Sequence, residues 1–179
     1  MTETQSSEKD ISPRLQRIAE LARKAPDKAF ESLNQHIDMD LLREAVRRTR
    51  KDGAPGIDGV SAAEYVSRLD DNLRALLDQA KSGTYRAPPV RRVHIPKGDG
   101  QETRPIGVPT FEDKVLQRAV AMILEAIYEQ DFLDCSHGFR PKRGAHDAIR
   151  VLDRIAHRGK VSWILEADIM SFFDSLDRT

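Results

Sequence analysis

The segment "VSWILEADIMSFFDSLD", residues 161–177, places an ionisable side chain, Asp168, where an apolar run gives out. A carboxylate at the exit of a strand, facing away from a core, is a good ligand for a hard divalent cation. Mg²⁺ takes one or two carboxylates, several waters and the phosphates of a substrate. In phosphoryl and nucleotidyl transfer, paired ions activate the attacking oxygen and stabilise the leaving one. One aspartate cannot hold two ions, so other carboxylates must join it. Glu166, Asp174 and Asp177 are the nearest, the last two in the turn or helix that follows. The spacing by itself favours a plainer reading: a surface aspartate capping that helix through the N–H groups free at its start.

The charges outside this segment are segregated, although the chain as a whole carries 29 basic and 29 acidic residues. From Lys81 to Arg104 there are six Lys or Arg against Asp99 and Glu102, a local +4. From His137 to Lys160 there are seven against Asp147 and Asp153, a local +5, while Val161 to Thr179 carries −3. A basic surface beside an acidic tip suits a polyanionic substrate and a metal-dependent centre. Solvated helix faces with an acidic end would give the same pattern. His137 and His146 have no further His or Cys at metal-ligand spacing, so a zinc site is not expected. The single cysteine, Cys135, excludes an internal disulfide and is expected to be buried, not reactive.

These groups need a scaffold, and 179 residues allow one domain, or one with an appendage. No run of about 18 apolar residues is present, so no membrane span is expected. "MTETQSSEKD" lacks the regions of a secretory signal, which leaves the cytoplasm as the default. Ser12 and Pro13 open a first helix with Leu15, Ile18, Ala19 and Ala22 on one face. A second is expected from about Asp40 to Lys51. "KDGAPGIDGVS" reads as a loop. Ser61 and Glu64 form a capping box that opens one helix carrying Tyr65, Leu69, Leu73, Leu76 and Leu77, ended by Gly83.

Between Pro89 and Thr110 the period changes. Arg91, Val93 and Ile95 alternate with Arg92 and His94, and "KGDGQ" supplies turn residues, which predicts a hairpin. Thr110 and Asp113 then cap the most strongly periodic helix, with Val115, Leu116, Ala119, Val120, Ile123, Leu124 and Ile127. Another helix, about Ala145 to Arg158, is expected to bury Ala148, Ile149, Leu152 and Ile155. The last element is expected to be a strand from Val161 to Ile169, with Asp168 on its mostly polar face.

Four blocks, in order, now resemble one family. "GAPGIDGVS", "RRVHIPKGDGQETRPIGVPTFEDKVLQRAV", "CSHGFRPKRGAHDAI" and "ADIMSFFDSLD" are similar to the successive signatures of reverse transcriptases encoded by group II introns. The resemblance covers about Arg43 to Asp177. It implies that Asp168 begins the catalytic metal-binding triad, with the backbone carbonyl of Ile169 as a further metal ligand. It implies that Lys97 and Arg104, on the two arms of the hairpin, clamp the triphosphate of the incoming nucleotide. A flexible ammonium and a forked guanidinium suit that task. Phe173 would be the gate under the sugar, excluding a 2′-hydroxyl, and core packing beside Phe172 is its plainer alternative. Arg140, Lys142 and Arg143 would meet template or primer phosphates without reading sequence. "PGIDG" would order backbone close to the template.

Met170 and Arg178 depart from the family, which often has lysine and histidine there. The family's second metal-binding motif, an aromatic-Ala-Asp-Asp turn, does not occur in these residues, nor do the rest of the palm, the thumb, and maturase or endonuclease domains. The expected architecture is therefore α+β: N-terminal helices, a fingers hairpin with helices, and the first part of a polymerase palm. Its expected divisions are residues 1–38, an extension; 39–110, helices and fingers hairpin; and 111–179, the start of the palm. The implied reaction is Mg²⁺-dependent copying of RNA into DNA from a DNA primer and deoxynucleotide triphosphates, in intron mobility and splicing. By itself the chain is expected to be an inactive fragment, with a second chain as one route to a complete palm. A non-catalytic RNA-binding module and a decayed fragment are the alternatives.

Overall fold

A computed structural model gives the fold and describes residues 12–27, 29–96, 98, 103–159, 161–170 and 172–177, with the backbone alone for Phe173 and Asp174. The chain forms two compact units, Met1–Phe132 and Leu133–Thr179. Among the described residues no helix is long and apolar enough to cross a membrane.

In the first unit, α1 (Pro13–Lys24) starts where Ser12 Oγ accepts from the Leu15 N–H, and it buries Leu15, Ile18 and Ala22. Helix α2 (Met39–Arg48) is capped by Asp38, whose carboxylate accepts from the Leu41 N–H at 2.8 Å. It stops three residues short of the expected Lys51. Lys51 instead folds back, and its Nζ donates to the Val46 and Arg47 carbonyls at 3.0 and 3.2 Å. A lysine just past a helix end satisfies carbonyls that the last turn leaves free.

The capping box at Ser61 and Glu64 forms as expected, but the single helix after it is two. Helices α3 (Ala62–Ser67) and α4 (Leu69–Ser82) meet at Arg68, whose backbone leaves helical geometry at φ −124 and ψ 41. Asn72 Nδ2 donates to the Tyr65 carbonyl at 2.8 Å, a side-chain bond that supports the interruption. Gly83, at φ 69, ends α4 in the left-handed region open to glycine.

Strands β1 (Arg91–Pro96) and β2 (Thr103–Val108) pair antiparallel, with Arg91 opposite Val108 and Ile95 opposite Arg104. Helix α5 (Phe111–Tyr128) follows, its N-terminus capped by Thr110 Oγ1. Helices α1 and α2 both pack on α5, and α4 packs on α2. The core gathers Ile18, Leu42, Leu73, Leu76, Val115 and Ala119, with Tyr65 edge-on to Phe111 at 5.3 Å. Helices plus a two-stranded antiparallel sheet are the α+β architecture the sequence implies.

The second unit corrects two expectations. Helix α6 (Ala145–Arg158) forms, yet Ile149, Leu152 and Ile155 are 61%, 60% and 53% exposed. Residues 161–169 adopt no regular structure, and Trp163 and Leu165 are each 92% exposed. Alternation alone does not make a strand, because its N–H and C=O groups need a neighbouring strand. Among the described residues the only strands are β1 and β2, which pair with each other. The short α7 (Phe172–Ser175) follows.

Candidate functional site

Arg104 is the second residue of β2, close to the turn, and it is exposed. Lys97, its expected partner in a phosphate clamp, lies outside the described residues. The hairpin is tied to the glycine-rich loop by Arg91, whose Nε donates to the Pro55 carbonyl at 3.1 Å. Lys114 Nζ, from α5, donates to the adjacent Ala54 carbonyl at 3.0 Å. Gly56 is buried, and a Cβ there would stand 2.6 Å from both Cα and N of Thr110. Asp58 Oδ1 accepts from the Val60 N–H at 3.2 Å, a local side-chain turn. The loop is therefore placed by contacts from β1, from α5 and from Thr110, the residue that caps α5.

Two tyrosines from sequence-distant segments converge on the first turn of α5. Tyr65 OH donates to Glu112 Oε2 at 3.1 Å, and Tyr85 OH donates to Asp113 Oδ1 at 3.0 Å. Gln117 Nε2 holds the other Asp113 oxygen at 2.7 Å. Burial pushes the Glu112 carboxyl above its ordinary range; the Tyr65 hydrogen bond opposes this, and Asp58 and Asp113 add to it. Both tyrosine hydroxyls are raised, by burial first and then by the neighbouring carboxylates. Sequence reading missed this network, since neither tyrosine lies near α5 in the chain. A capping motif followed by two acids and two isolated tyrosines is too weak a signal to pair them.

In the second unit, the loop 133–144 folds around two of the expected phosphate-binding cations. Arg140 is buried, and its Nη1 donates to the Leu133 and Ser136 carbonyls, each at 2.9 Å. Arg143 donates through Nη1 to the Asp134 carbonyl at 2.5 Å and through Nη2 to Asp134 Oδ1 at 3.1 Å. Lys142 is exposed, with a left-handed backbone at φ 59. Asp147 closes the start of α6, accepting from the Gly144 N–H at 2.9 Å and from Arg150. Those bonds, Arg150 foremost, hold its carboxyl below the usual range. Cys135 is exposed, contrary to expectation, because the loop that carries it closes on arginine–carbonyl bonds and not on an apolar core.

Asp168 and Ile169 are exposed in the irregular segment, and the Phe173 side chain lies outside the described residues. Among the described residues no three His, Cys, Asp or Glu side chains are grouped to hold a metal ion. Asp168 thus offers one open carboxylate, which fits a single ligand position and not a complete two-ion centre.

Comparison with known proteins gives this geometry a class. The family model for reverse transcriptases, RNA-dependent DNA polymerases, matches residues 95–178, from the end of β1 onward. The chain is 34% identical over 164 residues to the group II intron-encoded protein LtrA of Lactococcus lactis subsp. cremoris, covering 91% of this chain and 27% of that protein. It is 43% identical over 143 residues to protein YkfC of Escherichia coli, covering 75% and 37%. It is also 30% identical over 103 residues to nuclear intron maturase 1, mitochondrial, of Arabidopsis thaliana, covering 54% and 14%. The chain belongs to the group II intron reverse transcriptase and maturase family. It spans 27% and 37% of the lengths of the first two of these relatives, respectively. The family depends on divalent metal and acts on RNA and nucleotides in general.

Proposed function

We propose that this chain supplies the fingers and the start of the palm for Mg²⁺-dependent synthesis of DNA on an RNA template in the cytoplasm, in group II intron mobility and splicing. Residues 39–110 carry the fingers hairpin and residues 111–179 begin the palm. The observation that supports this reading most is the second hairpin strand, with the exposed Arg104 near its start, inside the segment that matches the polymerase family. Arg104 and Lys97 bind the incoming deoxynucleotide triphosphate through charge-assisted hydrogen bonds. Phe173 excludes the ribonucleotide sugar. Lys142 meets template or primer phosphate, while Arg140 and Arg143 shape the loop that presents it. Asp168 and the Ile169 carbonyl are ligands for Mg²⁺, which when bound supplies charge neutralisation at the reacting phosphate. The remaining carboxylates come from outside residues 1–179, on the same polypeptide or on a second chain.

The test is primer extension by the 179-residue polypeptide with RNA template, DNA primer, Mg²⁺ and deoxynucleotides. No extension is expected from it alone. Extension is expected once a separately expressed palm and thumb fragment is added, and Asp168→Asn then abolishes it. Robust extension by the 179 residues alone would overturn this account of the metal site.

A second reading, an RNA-binding module without catalysis, is favoured by the contrast between the units. The first has a closed apolar core, whereas Asp168 lies in an exposed irregular segment. It predicts RNA binding that falls with salt and is unchanged by Asp168→Asn, with no extension in any mixture.

A further inference from the structure

Two cations that a charge tally assigns to solvent or to phosphate are occupied by the glycine-rich loop. Lys114 takes the Ala54 carbonyl at 3.0 Å and Arg91 the Pro55 carbonyl at 3.1 Å. These are consecutive carbonyls, held from two different elements, the first turn of α5 and the first residue of β1. The next residue, Gly56, sits so close to Thr110 that no side chain fits between them. Exposed loop carbonyls could bond to water instead, so these bonds are not needed to satisfy them. Their effect is to fix where the loop stands relative to the hairpin.

We propose that Lys114 and Arg91 are positioning residues. They latch residues 53–59 onto the base of the hairpin and the start of α5, so that loop and hairpin meet an RNA strand as one preformed surface. This rests on the RNA-binding reading above. A loop held in place loses little conformational entropy when it binds, whereas a free loop must be ordered at that moment. The latch therefore acts on affinity without its cations touching phosphate.

The experiment uses the 179-residue chain and its Lys114→Met, Arg91→Met and Lys114→Arg variants. Amide hydrogen exchange is read at Gly56, Ile57, Gly59 and Val60, and affinity for a single-stranded RNA oligonucleotide is read across a KCl series. Each methionine variant is expected to speed exchange at these amides at least tenfold, with the Ala119 amide unchanged. Each is expected to weaken RNA binding several-fold while leaving the slope of log affinity against log salt unaltered. Lys114→Arg restores both. Unchanged exchange overturns the latch. So does a salt slope reduced by about one with exchange unaltered, since that marks a direct phosphate contact. If the parent chain binds no RNA, the RNA-binding reading falls by itself, and the exchange measurement still decides whether the latch exists.

Discussion

Arg140 and Lys142 are two residues apart, and both are cations in a basic loop, yet their surroundings differ. The Arg140 guanidinium is buried and engaged with two backbone carbonyls, whereas Lys142 is exposed. Lys142→Ala is therefore expected to lower RNA affinity and to reduce the salt slope by about one, as loss of a phosphate contact does. Arg140→Ala acts through the loop. The Leu133 and Ser136 carbonyls each keep a second donor, the Ser136 N–H at 3.0 Å and Arg143 Nη1 at 3.4 Å, so the loop loosens without leaving either one unbonded, and the slope stays as in the parent. Titrations at several salt concentrations separate the two. Gly56 makes the same point without charge. Gly56→Ala drives a Cβ into the Thr110 backbone and is expected to lower stability by about 1–3 kcal/mol, measured as a reduced urea midpoint.

At the scale of elements, the start of α5 is where α3, the segment before β1 and the glycine-rich loop converge. The network there titrates. Because the folded state holds Glu112 above its ordinary value of 4.5, the folded protein binds more protons than the unfolded chain in the window just above that value. Stability from this group therefore falls as pH rises through the window, and ionised Glu112 is a cost at neutral pH. Glu112→Gln keeps an acceptor for Tyr65 OH and removes the titration. Denaturation curves from pH 4 to pH 7 are expected to converge at the acid end, with the variant gaining on the parent as pH rises. Asp147 and Asp52, held below their ordinary range, have the opposite dependence. They are common to both proteins and cancel in the difference.

For the whole molecule, the two units divide the apolar residues unevenly. Every buried hydrophobic among the described residues lies between Leu15 and Ile123. The second unit keeps Ile149, Leu152, Ile155 and the run from Trp163 to Met170 largely in solvent. Backbone without regular hydrogen bonding and with exposed aromatic and aliphatic side chains is where a protease enters first. Limited chymotrypsin digestion is expected to cut between Val161 and Met170, after Trp163 or Leu165, before any site inside α5, as mass spectrometry of the early fragments will show. The basic segments also read differently in three dimensions. Arg91, Arg140, Arg143 and Lys81 donate to backbone carbonyls. They still contribute to the electrostatic field, but their donors are engaged by the protein.

The sequence by itself determined whatever depends on near neighbours. Ser12, Asp38, Ser61 and Thr110 each mark a helix start because a cap is satisfied within three residues. Gly83 stops α4, and the alternation from Arg91 to Ile95 becomes β1 because β2 is a short turn away. The family, too, was legible, since its signatures are contiguous blocks. Tertiary structure decided the rest. The break at Arg68 depends on Asn72 reaching back to Tyr65, and the loop around Gly56 on Thr110, Arg91 and Lys114, partners 36 to 60 positions away. Arg140 turns inward because the loop's own carbonyls take donors that the family resemblance assigns to template or primer phosphate. Residues 161–169 show the limit most plainly: their alternating pattern suits a strand, but a strand exists only beside another whose N–H and C=O groups it can share.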